Sequence, residues 1–176
     1  MDGSVIGINA GGTRTVCLRA DAGGRIVREW RGAGANLQSE GDAGIERVFR
    51  ATRRIAVIGA SANRARPSYG VFRYLVQQGF ECVPINPNET DVLGVPAYPT
   101  LAAAVAETGR FDMVDVFRRS ELCVPHAEEA VATGARVLWL QLGVVNWEAA
   151  TIAHGAGLEV VMDRCTAIEW RRIAGR

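Results

Sequence analysis

The rhythm of residues 54–173 constrains the fold more than any other feature of the chain. Ile55-Ala56-Val57-Ile58 is an unbroken apolar run that stops at Gly59. A strand with one wet face alternates apolar and polar residues, whereas an unbroken run suits a strand covered on both faces. The residues beyond it keep switching between helical and strand-like spacing. Tyr69–Gln78 is amphipathic and is closed by Gly79, Phe80–Ile85 is strand-like, Leu101–Glu107 is helical, and Asp112–Phe117 is strand-like. Pro125–Thr133 reads as a helix that accepts Pro in its first turn and stops at Gly134. Arg136–Leu142 and Leu158–Met162 read as strands, Trp147–His154 and Thr166–Ile173 as helices. Five strands with intervening helices predict an α/β fold with a doubly wound, five-stranded parallel sheet over residues 54–176.

Residues 1–50 follow a different pattern. Val5–Asn9, Thr15–Ala20 and Arg25–Trp30 are short strand candidates separated by Gly11-Gly12 and by the turn sequence Asp21–Gly24. Gly41–Arg50 places Ile45, Val48 and Phe49 at helical spacing. This part therefore reads as a small antiparallel β segment preceding the main domain.

Charge and composition remove several classes of function. All 20 basic residues are Arg, which rules out a P-loop lysine, a Schiff base and a lysine general base. They face 19 acids, and the balance stays small on both sides of Arg54: nine Arg against six acids up to and including it, eleven against thirteen after it. Neither part has the basic bias of a nucleic-acid-binding protein. No apolar run is long enough to span a bilayer, so no membrane role is expected. The Met1-Asp2-Gly3 start lacks the pattern of a secretory signal, and the expected compartment is the cytoplasm. Cys17, Cys82, Cys123 and Cys165 lie too far apart for zinc spacing and are expected to be free thiols. His126 and His154 cannot form a helical metal pair, and neither shows triad spacing to a Ser or Cys. No catalytic or metal-binding constellation is expected. Glu128-Glu129 reads as a solvated helix face.

In an open parallel sheet, ligands bind beyond the carboxyl ends of the strands, so the informative residues are those just after each strand. The first strand is followed by Gly59 to Gly70, G-A-S-A-N-R-A-R-P-S-Y-G. Gly59 allows close backbone approach, Ser61 offers a hydroxyl, and Arg64 and Arg66 offer guanidinium forks for phosphate. Ser68 and the amides after it open a helix, a favourable place for an anion. A plain strand-to-helix turn with surface arginines is the competing reading. The loop lacks the G-x-G-x-x-G pattern of dinucleotide enzymes. After the second strand, where such enzymes place an acid for the ribose, the chain has Asn86-Pro87, a turn sequence, with Glu89 and Asp91 nearby. Phe117-Arg118-Arg119 follows the third strand and suits either base stacking with phosphate contact or a solvated helix start. Gln141-Leu142-Gly143 brings an amide and a glycine to the same edge. Cys165, beside Arg164 at a helix start, is the strongest candidate for a thiol of lowered pKa, against the alternative of a buried inert residue.

Six stretches carry a resemblance: I-A-V-I-G-A-S, R-P-S-Y-G-V, P-I-N-P, V-D-V-F-R-R-S, W-L-Q-L-G-V-V-N and V-V-M-D-R-C. In this order, residues 54–173 resemble the small CoA-binding proteins of bacteria and archaea. They are also similar to the CoA-binding domains of the succinyl-CoA synthetase alpha subunit and of ADP-forming acyl-CoA synthetases. The resemblance implies a Rossmann-like fold that binds coenzyme A or an acyl-CoA. By that likeness Gly59, Ala60 and Ser61, with Arg66, Pro67 and Ser68, hold the pyrophosphate. Asn86 and Pro87 border the adenosine, and Val116, Phe117 and Arg118 the adenine or pantetheine. The synthetases keep their catalytic phosphohistidine in a separate domain that these residues do not match, so binding without catalysis is implied. Cys165 matches a Cys of the D-R-C block, which raises a mixed disulfide with CoA as a further expectation.

V-I-G-I-N-A-G-G-T-R-T-V-C-L-R-A-D, near the start, resembles the opening of BadF-type and N-acetylglucosamine-kinase ATPases. Those enzymes use an early Asp for the metal; here Asn9 stands in that place, and a neutral amide is a poor Mg²⁺ ligand. A non-catalytic CoA-binding protein is therefore the leading expectation. An NAD(P)-linked or CoA-disulfide-linked redox protein using Cys165 is the alternative, and a sugar-kinase-like ATPase is the least supported.

Overall fold

The computed structural model describes residues 5–11, 14–20, 26–31 and 37–175, with side chains from residue 43 onward. The chain divides into two compact units, Met1–Ile45 and Glu46–Arg176. In the first, β1 (Val5–Gly11), β2 (Arg14–Ala20) and β3 (Ile26–Arg31) form an antiparallel sheet in chain order, with a register shift at Arg19/Ala20. The expected turns at Gly12 and Asp21–Gly24 lie outside the described residues, as do the side chains of Asn9 and Cys17. Helix α1 spans Leu37–Arg50, four residues longer at its start than its apolar spacing predicts.

The second unit alternates as expected. Its strands are β4 (Arg54–Ile58), β5 (Glu81–Ile85), β8 (Met113–Val116), β9 (Val137–Leu140) and β10 (Glu159–Val161). The helices between and after them are α2 (Pro67–Gln77), α3 (Leu101–Thr108), α4 (Cys123–Ala132), α5 (Trp147–Gly155) and α6 (Thr166–Ala174). A two-residue hairpin, β6 (Asp91–Val92) and β7 (Val95–Pro96), interrupts the path from β5 to α3. The five strands form one parallel sheet in the order β10-β9-β8-β4-β5. From β4 the chain first moves outward to β5 and then returns to β8 on the other side. The order therefore reverses between β4 and β8, the position at which open α/β sheets take their ligands.

Both sheet faces are covered, as the apolar run at β4 requires. On one face Ala56, Ile58, Val83, Ile85, Val114, Leu138 and Leu140 pack against α3, α4 and α5. Those helices present mainly small residues, among them Ala104, Ala127, Ala130, Ala149 and Ala153, which lets them lie close to the sheet. Strand alternation sends Ile55, Val57, Met113, Asp115 and Trp139 to the other face. There Phe49 stands 5.3 Å from Trp139 and 5.4 Å from Trp170, and Phe80 stands 5.0 Å from Trp170, ring centre to ring centre. Offset and tilted ring pairs of this kind stabilise beyond the area they bury. Trp170 also donates its indole N–H to Gln78 at 3.2 Å, tying α6 to the end of α2.

Candidate functional site at the carboxyl edge

Gly59 ends β4 at the point where the strand order reverses. Its φ is +81°, and a Cβ there would stand 2.3 Å from the carbonyl oxygen of Phe117. No side chain fits, because the obstacle is backbone. The approach is fixed by two bonds: the Gly59 amide donates to Ile85 O and the Phe117 amide to Ile58 O, both at 2.8 Å. The ends of β5, β4 and β8 thus converge on one glycine.

The loop beyond Gly59 is held from the β5 side. Asn86, buried, donates Nδ2 to the Ala60 carbonyl at 2.7 Å, and its Oδ1 accepts from the Asn88 amide at 3.1 Å. Glu89 Oε1 accepts from Ser61 Oγ at 2.8 Å and from the Ala62 amide at 3.1 Å. Ser61 Oγ in turn accepts from the Asn63 amide, and Asn63 Oδ1 from the Ala65 amide. Asn86 therefore stands where a dinucleotide enzyme carries its acid, and it clamps the neighbouring loop. Glu89, in the sequence only an acid near the Asn86 turn, is the second half of the clamp. Neither bond is readable from spacing, since the partners lie 26 to 28 residues apart.

Helix α2 begins at Pro67, two residues earlier than its apolar spacing suggests, with Arg66 as N-cap. The Arg66 side chain makes no capping bond, and no acid occupies the first turn. By contrast Thr100 caps α3 through Ala103 N, and Asn146 caps α5 through Ala149 N. Among the described residues no side chain caps the start of α2, as is also the case for α4 and α6, but α2 is the one that follows the Gly59 bend. Ser68 is buried inside that first turn, while Arg64, Arg66 and Pro67 are exposed. Val116 is fully buried at the end of β8, and Phe117 and Arg118 beside it are half-buried. Pro87 is exposed next to Asn86. The Gly59–Ser68 loop, the Asn86-Pro87 turn and Phe117 thus converge at the β5–β4–β8 edge. The structure shows no bond linking Arg118 to that loop.

Several charges on this edge are already engaged. Burial, and then the Arg118 charge, hold the His126 imidazole below its ordinary pKa. Glu129, expected to be solvated, is half-buried and accepts from the Ala102 amide at the start of α3. Arg164, read as the neighbour of Cys165, directs its guanidinium to Glu169 at 2.9 Å. Cys165 is half-exposed at the N-cap of α6, whereas Cys82 and Cys123 are buried. Burial, followed by the Asp115 charge, pushes the Cys82 thiol up to about 12.

Sequence reasoning passed over Asp115. It is fully buried, with Gln141 Nε2 at 2.8 and 2.9 Å from its two oxygens and Thr166 Oγ1 at 3.0 Å. Gln141 Nε2 also lies 2.7 Å from Thr166 Oγ1, so one polar knot joins β8, the end of β9 and the start of α6. Burial raises the Asp115 pKa to about 7 despite these hydrogen bonds. Its only signal in the sequence was a single acid inside an otherwise apolar strand.

A parallel sheet with helices on both faces and a helix start without a side-chain cap at the point where the strand order reverses define a Rossmann-like domain. Residues 53–171 match the family described as CoA binding domain, and the chain belongs to that family. YneT of Bacillus subtilis, described as uncharacterized, is 37% identical over 132 residues, 75% of this chain and 96% of that protein. A hypothetical protein from Pyrococcus horikoshii OT3 has a solved structure 33% identical to this chain. It has a TM-score of 0.72 and covers 76% of this chain and 92% of its own. A Thermus thermophilus structure is 31% identical with a TM-score of 0.69, covering 75% and 98%. A dinucleotide-forming acetyl-coenzyme A synthetase 1 from Ca. Korarchaeum cryptofilum shares the fold at 22% identity and a TM-score of 0.59, over 68% of this chain and 27% of its own. The likeness of the N-terminal strands to BadF-type ATPases concerns residues outside the family match.

Proposed function

We propose that this chain binds coenzyme A, with the diphosphate held by the Gly59–Ser68 loop and the start of α2. The observation that carries this reading is the uncapped α2 N-terminus directly after the Gly59 bend, flanked by Arg64 and Arg66, whose side chains make no ion pair among the described residues. A helix start with free positive potential and two guanidiniums suits a doubly charged diphosphate. On this reading the backbone of Gly59, Ala60 and Ser61 and the α2 amides would face the diphosphate, the Ser61 hydroxyl itself being bonded to Glu89, while Asn86 and Pro87 would border the adenosine and Val116, Phe117 and Arg118 the way from β4 to β8. Coenzyme A supplies a thiol carrier; the chain's own residues hold and orient it.

The reading is one of binding without catalysis. It draws support from how the carboxylates at this edge are employed. Glu89 holds the loop, Asp163 accepts from the Gly143 amide at 2.7 Å, and Asp115 is sealed inside the domain. The absence of an acid at the Asn86 position favours CoA over NAD(P). Titration calorimetry with CoA, acetyl-CoA, NADH and ATP tests the choice. Heat from CoA with none from NADH or ATP is expected; binding of NADH in the absence of CoA binding would reverse the assignment.

A further inference from the structure

The Gly59–Ser68 loop spends most of its donors on the chain itself. The Gly59 amide goes to Ile85 O at 2.8 Å and the Arg66 amide to Asn63 O at 3.0 Å. The Asn63 amide goes to Ser61 Oγ at 3.2 Å and the Ala65 amide to Asn63 Oδ1 at 2.9 Å. Glu89 takes two more, and one oxygen takes both: Oε1 accepts from Ser61 Oγ at 2.8 Å and from the Ala62 amide at 3.1 Å. A hydroxyl has one hydrogen to give, so Ser61 Oγ has none left for a ligand. Among the described residues Glu89 is the only acid bonded to this loop; Asp91, two residues on, accepts from the Gly94 amide instead. Glu89 is half-buried, and its partners here are neutral. Arg64 and Arg66 make no ion pair with it. Two hydrogen bonds therefore pin a carboxylate charge against the loop, and no guanidinium cancels it.

A fixed negative charge at an anion site acts as a filter on the charge of the anion. In coenzyme A both phosphates of the diphosphate are esterified, and each carries a single charge. A free terminal phosphate carries about 1.5 to 2 charges at pH 7 and has three oxygens to satisfy. Such a group gains more from the arginines but is also repelled more by the carboxylate, and it meets a hydroxyl that is already committed. We propose that Glu89 sets the charge selectivity of the site: it admits a diphosphate whose phosphates are both esterified and rejects one that ends in a free phosphate. Glu89 is then a specificity-determining residue as well as half of the loop clamp. This inference rests on the CoA reading above and deepens it.

The test is calorimetric titration of the full chain with CoA, dephospho-CoA and ADP, for the wild type, Glu89→Gln and Glu89→Ala. Dephospho-CoA and ADP share the adenosine diphosphate and differ in whether its outer phosphate is esterified. The wild type is expected to bind dephospho-CoA about tenfold or more tightly than ADP. Pantetheine contacts add to that gap in all three proteins alike, so the readout is the change in the gap. Both variants are expected to narrow it by about tenfold, because both remove the charge. Gln keeps an oxygen for the two donors and Ala does not, so a residue that only holds the loop leaves the gap as it is, whatever happens to the separate affinities. A gap unchanged in either folded variant overturns the proposal and leaves the CoA reading standing. Equal affinity of the wild type for dephospho-CoA and ADP does the same. Failure of the wild type to bind CoA or dephospho-CoA overturns both.

Discussion

Gly59 and Arg66 stand a few residues apart, one placed to hold the fold and the other to meet a ligand. Gly59 matters to the folded chain: alanine there meets the Phe117 carbonyl and a left-handed φ together. Gly59→Ala is expected to destabilise the domain by about 2–4 kcal/mol, read from the denaturant midpoint, because the obstructing atom is backbone and cannot swing aside. A midpoint within experimental error of the wild type would show that β4 and β8 do not approach as described. Arg66 is exposed and makes no ion pair among the described residues, so Arg66→Ala is expected to leave stability unchanged and to weaken CoA binding by about 1–3 kcal/mol, the range of a charge-assisted hydrogen bond. Unaltered affinity would remove Arg66 from the site. The first of these residues was legible in the sequence as a glycine after an apolar run. Its obstacle was not, because a carbonyl 58 residues further on is a matter of topology.

At the scale of elements, the clamp from the β5 end onto the β4 loop is the feature with the most consequence. Asn86 and Glu89 together satisfy the Ala60 carbonyl, the Ser61 hydroxyl and the Ala62 amide. Asn86→Ala leaves the Ala60 carbonyl without its donor, and a loss of about 1–3 kcal/mol is expected, together with faster amide exchange over residues 60–65. Exchange rates equal to the wild type there would show that the loop holds itself. The sequence displayed the elements well where a long period was available: β4, α2, α3 and α5 lie within two residues of their expected bounds. It was mute on β6 and β7. Each has two residues, and their turn puts Leu93 at φ +56° beside Gly94 at +76°. Leucine is a poor marker of a left-handed turn, so nothing in composition announces that hairpin. The clamp escaped for a related reason: Asn86-Pro87 and Glu89 are read locally as turn residues, while their partners belong to another strand.

The behaviour of the whole domain with pH follows from Asp115. Its folded pKa, raised to about 7, lies above the ordinary aspartate value of 3.8. Between these two values the folded chain holds a proton that the unfolded chain has released, so this group's contribution to stability falls as pH rises through the window. Asp112 acts in the opposite sense. Burial works to raise it, but the Arg53 and Arg54 amides and the Arg136 and Arg54 charges outweigh that and leave it lowered, so its contribution is lost in acid. Comparing the wild type with Asp115→Asn isolates the first effect. From pH 5 to pH 8 the variant is expected to gain stability relative to the wild type, and a difference independent of pH would contradict the assignment.

The proposed coenzyme A site lies at the Gly59–Ser68 loop and the start of α2. The most direct measurement is an amide chemical-shift titration of the full chain with CoA. Shifts concentrated at Gly59–Ser61, Ser68 and Phe117, and absent or weaker in Arg66→Ala, are the predicted result. Saturable binding that leaves these amides unmoved while shifting others would contradict it.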